Sequence, residues 1–149
     1  MRLILSFFLL FSSFLVFSQT EMKSSLCLFN LLLDSQSEKV MTQTCLRHHP
    51  ISIGEQEGYT TYTYPDKTTI SINKNYSSQS KESNDLPFLK VSTNQSKKQI
   101  EKALLDSGFK KRGEIYQRGT NFNQSITTCT LSKASHNTLL SFSKNYPRN

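Results

Sequence analysis

The sequence is poor in the residues that mark most recognisable active sites. It has no Trp, three Cys, three His, four Pro and five scattered Gly in 149 residues. Scattered glycines leave no Gly-rich loop to hold a phosphate group, and neither a Gly-x-Ser-x-Gly turn nor a Cys-x-x-Cys pair occurs. This length suits one domain, which excludes a multidomain enzyme, a repeat array and a polytopic membrane protein.

The one long hydrophobic run lies at the N-terminus. Residues 3–17 are nearly all Leu, Ile, Val or Phe and carry no charge, and Arg2 precedes them. Val16 and Ser18 fit the −3 and −1 positions of a signal-peptidase site, which predicts a signal peptide over residues 1–18 and a secreted or periplasmic protein. The run is shorter than the roughly 20 residues that cross a bilayer, so we expect no membrane span after cleavage. An uncleaved anchor is the alternative.

The cysteines of an exported protein meet an oxidising environment. Cys27 and Cys45 lie at similar distances on either side of a polar break at residues 34–37. If the flanking segments are antiparallel helices, the two thiols face each other, so we predict a Cys27–Cys45 disulfide. Bridges to Cys129, or no bridge at all, are the alternatives.

In the first half, hydrophobic spacing predicts a helical N-terminal segment over residues 20–49, buried or packed on a partner. The β-forming residues at 59–64 and 67–73 flank Pro65 and Asp66, which predicts a β-hairpin. Residues 74–85 are almost entirely polar and are predicted to form a loop.

In the second half, a strand at 86–93 precedes a helix that begins at a Ser96–Gln99 capping box and ends at Gly108. Three further strands are expected; they cover residues 113–118, 125–132 and 137–143. This β-α-β-β-β order segregates helix from strands. It predicts a single α+β domain over residues 19–149, with a mainly antiparallel sheet and one covering helix in this half. We find no internal sequence repeat.

Positive charge is concentrated late in the chain. The net charge is +7, and residues 90–149 alone carry +8. The densest basic site is Lys110-Lys111-Arg112, and Arg118 follows nearby. These residues suit contact with an anionic surface. A solvated surface with cations at a helix C-terminus is the other interpretation, and it is the favoured one. A nucleic-acid partner is disfavoured, because the sequence contains no known nucleic-acid-binding motif and because the protein is expected to be exported.

The tyrosines at positions 59, 62 and 64 form an aromatic cluster. If exposed, Tyr59, Tyr62 and Tyr64 would bind a sugar or a partner strand, and if buried they would be cross-strand packing residues. Packing is the favoured interpretation.

Taken together, these patterns predict a non-catalytic binding module that contacts an anionic surface or a protein partner, without a cofactor. A secreted inhibitor or immunity-type protein is the alternative. A metal- or thiol-dependent enzyme at Cys45, His48 and His49 is less favoured, because this Cys-x-x-His-His spacing has no second ligand pair and we expect no metal.

Overall fold

The computed structural model describes residues 24–77, 86–119 and 125–146. The predicted signal peptide and residues 78–85 of the predicted polar loop lie outside these ranges. Within the described residues, no helix is long and apolar enough to cross a membrane.

Three helices and eight strands make up the described chain. The helices are α1 (Ser24–Leu33), α2 (Glu38–Arg47) and α3 (Lys97–Asp106). The strands are β1 (Ser52–Gln56), β2 (Tyr59–Thr63), β3 (Thr69–Asn73), β4 (Leu89–Thr93), β5 (Lys110–Arg112), β6 (Ile115–Gly119), β7 (Ile126–Ala134) and β8 (Asn137–Asn145).

All eight strands form one antiparallel sheet in the order β1-β2-β3-β4-β8-β7-β6-β5. The α+β class and the antiparallel sheet are therefore confirmed. The predicted β-α-β-β-β order of the second half is incomplete, because β5 precedes the three strands expected after the helix. Strand β1 was also missed. Both are edge strands whose residues are all exposed, so neither carries the apolar alternation that marks a buried strand.

The order of helices and strands divides the described chain into two similar halves. The sequences of the two halves show no internal repeat. Each half is a helical segment followed by a four-stranded meander: β1 to β4 after α1 and α2, and β5 to β8 after α3. The last strands of the two meanders, β4 and β8, pair at the centre of the sheet. The strand order is therefore approximately symmetric about the β4–β8 pair, with the four strands of each half running outward from it.

Alternation along the strands assigns one side of the sheet to the core. On that side, Tyr62 pairs with Ile70, which in turn pairs with Val91. Val91 pairs in turn with Leu140 of β8, so this row crosses the centre of the sheet. The next row brings together five more core residues, all with at most 2% exposure: Ile72, Leu89, Phe142, Cys129 and Tyr116.

The helices form one layer over this side, with α1 between α2 and α3. Phe29 of α1 stacks on Phe142 of the central strand β8, with ring centroids 5.7 Å apart. Flanked by two helices and the sheet, α1 buries Leu28, Leu32 and Leu33 to at most 1% exposure. This position explains the apolar residues on its buried sides, whereas Leu31 is 57% exposed. Three helices thus lie on one side of the sheet: the two helices of the N-terminal segment, which we expected to pack on the sheet, and α3.

Helix α3 begins and ends as its sequence predicts. The Ser96 hydroxyl accepts from the Gln99 amide, and the Gln99 side chain accepts from the Ser96 amide. At the other end the Gly108 amide donates to the Leu105 carbonyl and the Phe109 amide to the Leu104 carbonyl. This is a Schellman ending, and it requires the left-handed φ of +85° at Gly108.

The predicted Cys27–Cys45 disulfide is not formed, because the buried Cys45 thiol is free, and so is that of Cys129. The helical hairpin that suggested it is present, with its turn between Leu33 and Glu38. Cys45 lies in the core between α2 and the sheet. The Cys27 side chain lies outside the described residues.

We expect Gly108→Ala to lower the free energy of unfolding by about 1 kcal/mol, because a side chain disfavours the left-handed backbone there. Urea unfolding followed by circular dichroism measures the change. Gly119→Ala is the matched control: an added Cβ meets nothing within 4 Å, and φ is not positive. Equal stability of the two variants would contradict the Schellman ending.

Candidate functional site

The side of the sheet opposite the three helices is here called the open face. It consists of alternate residues in all eight strands. Most of these residues are partly or fully exposed. The open face is therefore a continuous surface that no described helix covers.

Hydroxyl side chains dominate the open face. They come from every strand except β5 and β6 and are Ser52, Thr61, Thr63, Thr69, Ser71, Ser92, Thr128, Thr130, Ser132, Ser141 and Ser143. Some bond across strands: the Thr61 and Ser71 hydroxyl oxygens lie 2.8 Å apart, and the Asn145 amide donates to Thr128 at 3.2 Å. Such a surface offers many donors and acceptors on a rigid support.

Charge on the open face is of one sign. Lys90 comes from the central strand β4, and Lys110 and Arg112 from the edge strand β5. Among the strand residues that the structure describes on this face, none is acidic. Glu55, the only acidic strand residue described, lies on the helix side in the row of Ile72 and Leu89.

Lys90 is held in place by an aromatic ring. Its Nζ lies 4.1 Å from the ring centroid of Tyr59, a cation–π distance. The Tyr59 hydroxyl donates to the Pro87 carbonyl at 2.6 Å, which fixes the ring. Tyr59 is 5% exposed, so it supports the ammonium group from below rather than presenting its own face to a ligand.

The basic triplet of β5 is divided by strand alternation. Lys110 and Arg112 lie on the open face, and Lys111 lies on the helix side. There the Lys111 Nζ is 3.2 Å from a Glu101 carboxylate oxygen, which also accepts from the Tyr116 hydroxyl at 2.6 Å. The hydrogen bond from Tyr116, which has the largest effect, and the one from Lys111 lower the pKa of the Glu101 carboxyl group. Lys111 thus has a carboxylate partner within the fold.

Arg118 also lies on the helix side, in contacts with distant parts of the chain. Its guanidinium forms an ion pair with Asp34 and donates to the Ser107 carbonyl at 3.2 Å. It lies 5.5 Å from the ring centroid of Phe109, and its side chain is 17% exposed. These contacts join α1, the end of α3 and the sheet.

The three tyrosines predicted as a cluster divide between the two sides. Tyr62 and Tyr64 point to the helices: the Tyr62 hydroxyl donates to Thr42 at 3.1 Å and the Tyr64 hydroxyl to the Cys45 carbonyl at 3.0 Å. They are 2% and 3% exposed, so both are packing residues. Tyr59 alone belongs to the open face.

The Cys45, His48 and His49 group does not converge. Cys45 is fully buried, whereas His48 and His49 are exposed beyond the end of α2. Burial raises the pKa of the Cys45 thiol to about 11, so it is neutral at pH 7. Within the part of the chain that the structure describes, no three His, Cys, Asp or Glu side chains are grouped to hold a metal ion.

Lys90 and the hydroxyl side chains are the members of the open face that sequence reasoning missed. Their signal was present as alternating Ser and Thr in β3, β7 and β8. The pattern forms a surface only when the strands lie side by side, because each of the six contributing strands supplies one to three hydroxyl residues.

Comparisons of the chain with protein-family models, with curated proteins and with solved structures give no match. The geometry of the chain's own residues is therefore the basis for a proposal about function.

We expect Cys45 and Cys129 to be unreactive in the folded protein. Burial raises the pKa of Cys129 to about 12 and that of Cys45 to about 11, and the thiolate is the reactive form. In a Cys27→Ser variant, a thiol-specific reagent at pH 8 should modify neither residue until denaturant is added. Rapid modification of the native protein would show that a thiol is accessible.

The same shifts predict a pH dependence of stability. The unfolded thiols ionise near pH 8.5 and the folded ones only at about pH 11 and about pH 12. The stability from these neutral buried thiols is fully present below about pH 8.5 and is lost as pH rises through the folded values. Urea unfolding from pH 7.5 to 10.5 should show this decline. Cys129→Ala should make it shallower, and an unchanged slope would contradict the assignment.

Proposed function

We propose that this protein is a non-catalytic binding module, exported to the periplasm or the extracellular space, whose open face binds an extended polyanion. The observation that carries the proposal is the open face itself, where three cations and many hydroxyls lie and no strand residue that the structure describes is acidic. Export rests on the predicted signal peptide over residues 1–18.

The spacing of the cations favours an extended partner over a small anion. Lys90 and Arg112 belong to one cross-strand row, through Ser141, Thr130 and Ile115. Neighbouring strands lie about 4.8 Å apart, so four spacings separate the two Cα atoms by roughly 19 Å. A single phosphate or carboxylate cannot contact both, whereas a chain of anionic units can.

The hydroxyl groups between the cations suit a polar, hydrated partner. Ser141 and Thr130 occupy the row between Lys90 and Arg112 and can donate to oxygen atoms along a polyanion. An acidic polysaccharide, which combines repeated negative charge with many hydroxyls, fits this surface and the proposed location. Electrostatic attraction of this kind weakens as salt screens it.

A solvated basic surface is the competing explanation, and α3 provides an example of one. Lys97, Lys98 and Lys102 are exposed on this helix, on the opposite side of the sheet. Lys102 pairs with Asp106 at 2.6 Å, an ordinary i,i+4 contact. The open-face cations differ because, among the described strand residues, no carboxylate lies on their side of the sheet. The α3 lysines therefore provide the matched control.

We expect Lys90→Gln/Lys110→Gln/Arg112→Gln to weaken retention on immobilised heparin, used as a model acidic polysaccharide. If each cation makes one contact, the slope of log affinity against log salt should fall by about three, close to one per contact. The control, Lys97→Gln/Lys98→Gln/Lys102→Gln, removes the same charge from α3. It should change retention far less.

Equal weakening by both triple variants would mean that net charge alone causes binding, and the open face would lose its role. Unchanged retention of the open-face variant would also overturn the proposal. A single tight protein partner whose binding does not change with salt would instead indicate an inhibitor or immunity-type function.

A further inference from the structure

A second group of basic residues lies on the helix side of the sheet, which is the side opposite the open face. Arg118 of β6 pairs with Thr127 of β7, and Thr127 pairs with Lys144 of β8. The three residues therefore form one cross-strand row, with Thr127 between the two cations. We call this row the 118–127–144 site.

Thr127 is the residue at this site that the fold does not explain. It is fully buried, and its Oγ1 has no hydrogen-bond partner among the described residues. Buried hydroxyls nearly always have one, since an unpaired polar group loses its bonds to water without replacement. The Thr127 hydroxyl is therefore a hydrogen-bond donor without an acceptor, in a row between two cationic residues.

The charges at the site are also unbalanced. Arg118 forms an ion pair with Asp34, whose side chain is 72% exposed. Lys144 bonds to the Tyr76 hydroxyl, and its Nζ lies 5.0 Å and 5.4 Å from the ring centroids of Tyr76 and Phe88. In the described chain no carboxylate forms an ion pair with Lys144.

The surroundings disfavour the charge of Lys144. Burial lowers its pKa; Asp34 counteracts this, and Arg118 adds to it by repulsion. One carboxylate therefore faces two cations in a partly desolvated region, where a bound anion gains more than it would in water.

We propose that the 118–127–144 site binds a small oxyanion, a carboxylate or a phosphate group. Arg118 and Lys144 supply the positive charge and Thr127 donates its hydroxyl to the bound oxygen. Two strand spacings separate the cations, about 10 Å between Cα atoms, so their long side chains can converge on one small group. The site is separate from the open face, so the proposal does not depend on polyanion binding.

Heteronuclear NMR of the isotope-labelled protein tests the proposal directly. Sodium phosphate and sodium acetate are each titrated against sodium chloride at constant ionic strength, so that screening stays equal. We expect saturable amide shifts centred on Thr127 and its neighbours in β6 and β8 for at least one of the two anions. The anion that saturates identifies the oxyanion class.

Two variants locate the binding group. Thr127→Val removes the hydroxyl at nearly constant volume and should weaken the affinity about tenfold, as expected for a hydrogen bond to a charged group. Thr44→Val in α2, which removes a hydroxyl that donates to the Val40 carbonyl, should leave the affinity unchanged. Thr127→Val should also raise the melting temperature without anion, because it removes an unpaired buried hydroxyl.

Lys144→Gln provides a second variant that does not alter Thr127, and it should reduce the affinity by at least tenfold. Shifts that do not saturate, or that spread over exposed lysines, would overturn the proposal. An affinity unchanged by both Thr127→Val and Lys144→Gln would do the same.

Discussion

The pairing of β4 with β8 is the interaction on which the rest of the fold depends. It joins two four-stranded meanders into one sheet and places Val91 beside Leu140 and Leu89 beside Phe142. All four side chains are fully buried, and Phe29 of α1 stacks on Phe142. The two strands lie about fifty residues apart in the chain, so their pairing closes a long loop. It also completes the surface that the helix layer covers.

The same strands provide both the core and the candidate binding surface. Side chains alternate between the two sides, so burying Tyr62, Ile70 and Val91 necessarily turns their Ser, Thr and Lys neighbours outward. A register slip of one residue would exchange the two sides. The hydrophobic core therefore fixes the position of the open face, and a change that disturbs the core also disturbs the surface.

Short-range signals in the sequence predicted their elements well. The Ser96–Gln99 capping box and Gly108 mark the ends of α3, and Pro65-Asp66 lies in the turn between β2 and β3. The signals failed where distant partners decide the structure. Strand β1 contains Gly54 and Glu55 with no buried residue, and it is a strand because β2 pairs with it. The two-helix hairpin was expected, but the rotation of α2 places Cys45 against the sheet.

By itself the sequence determined the α+β class, the locations of most of the described strands and the concentration of positive charge late in the chain. It did not determine which of those charges have partners. Lys111 and Lys110 are adjacent, yet one meets Glu101 and the other lies on the open face. Arg118 meets Asp34, eighty-four residues away. Charge partners are set by distance in space, and only the tertiary structure brings such residues together.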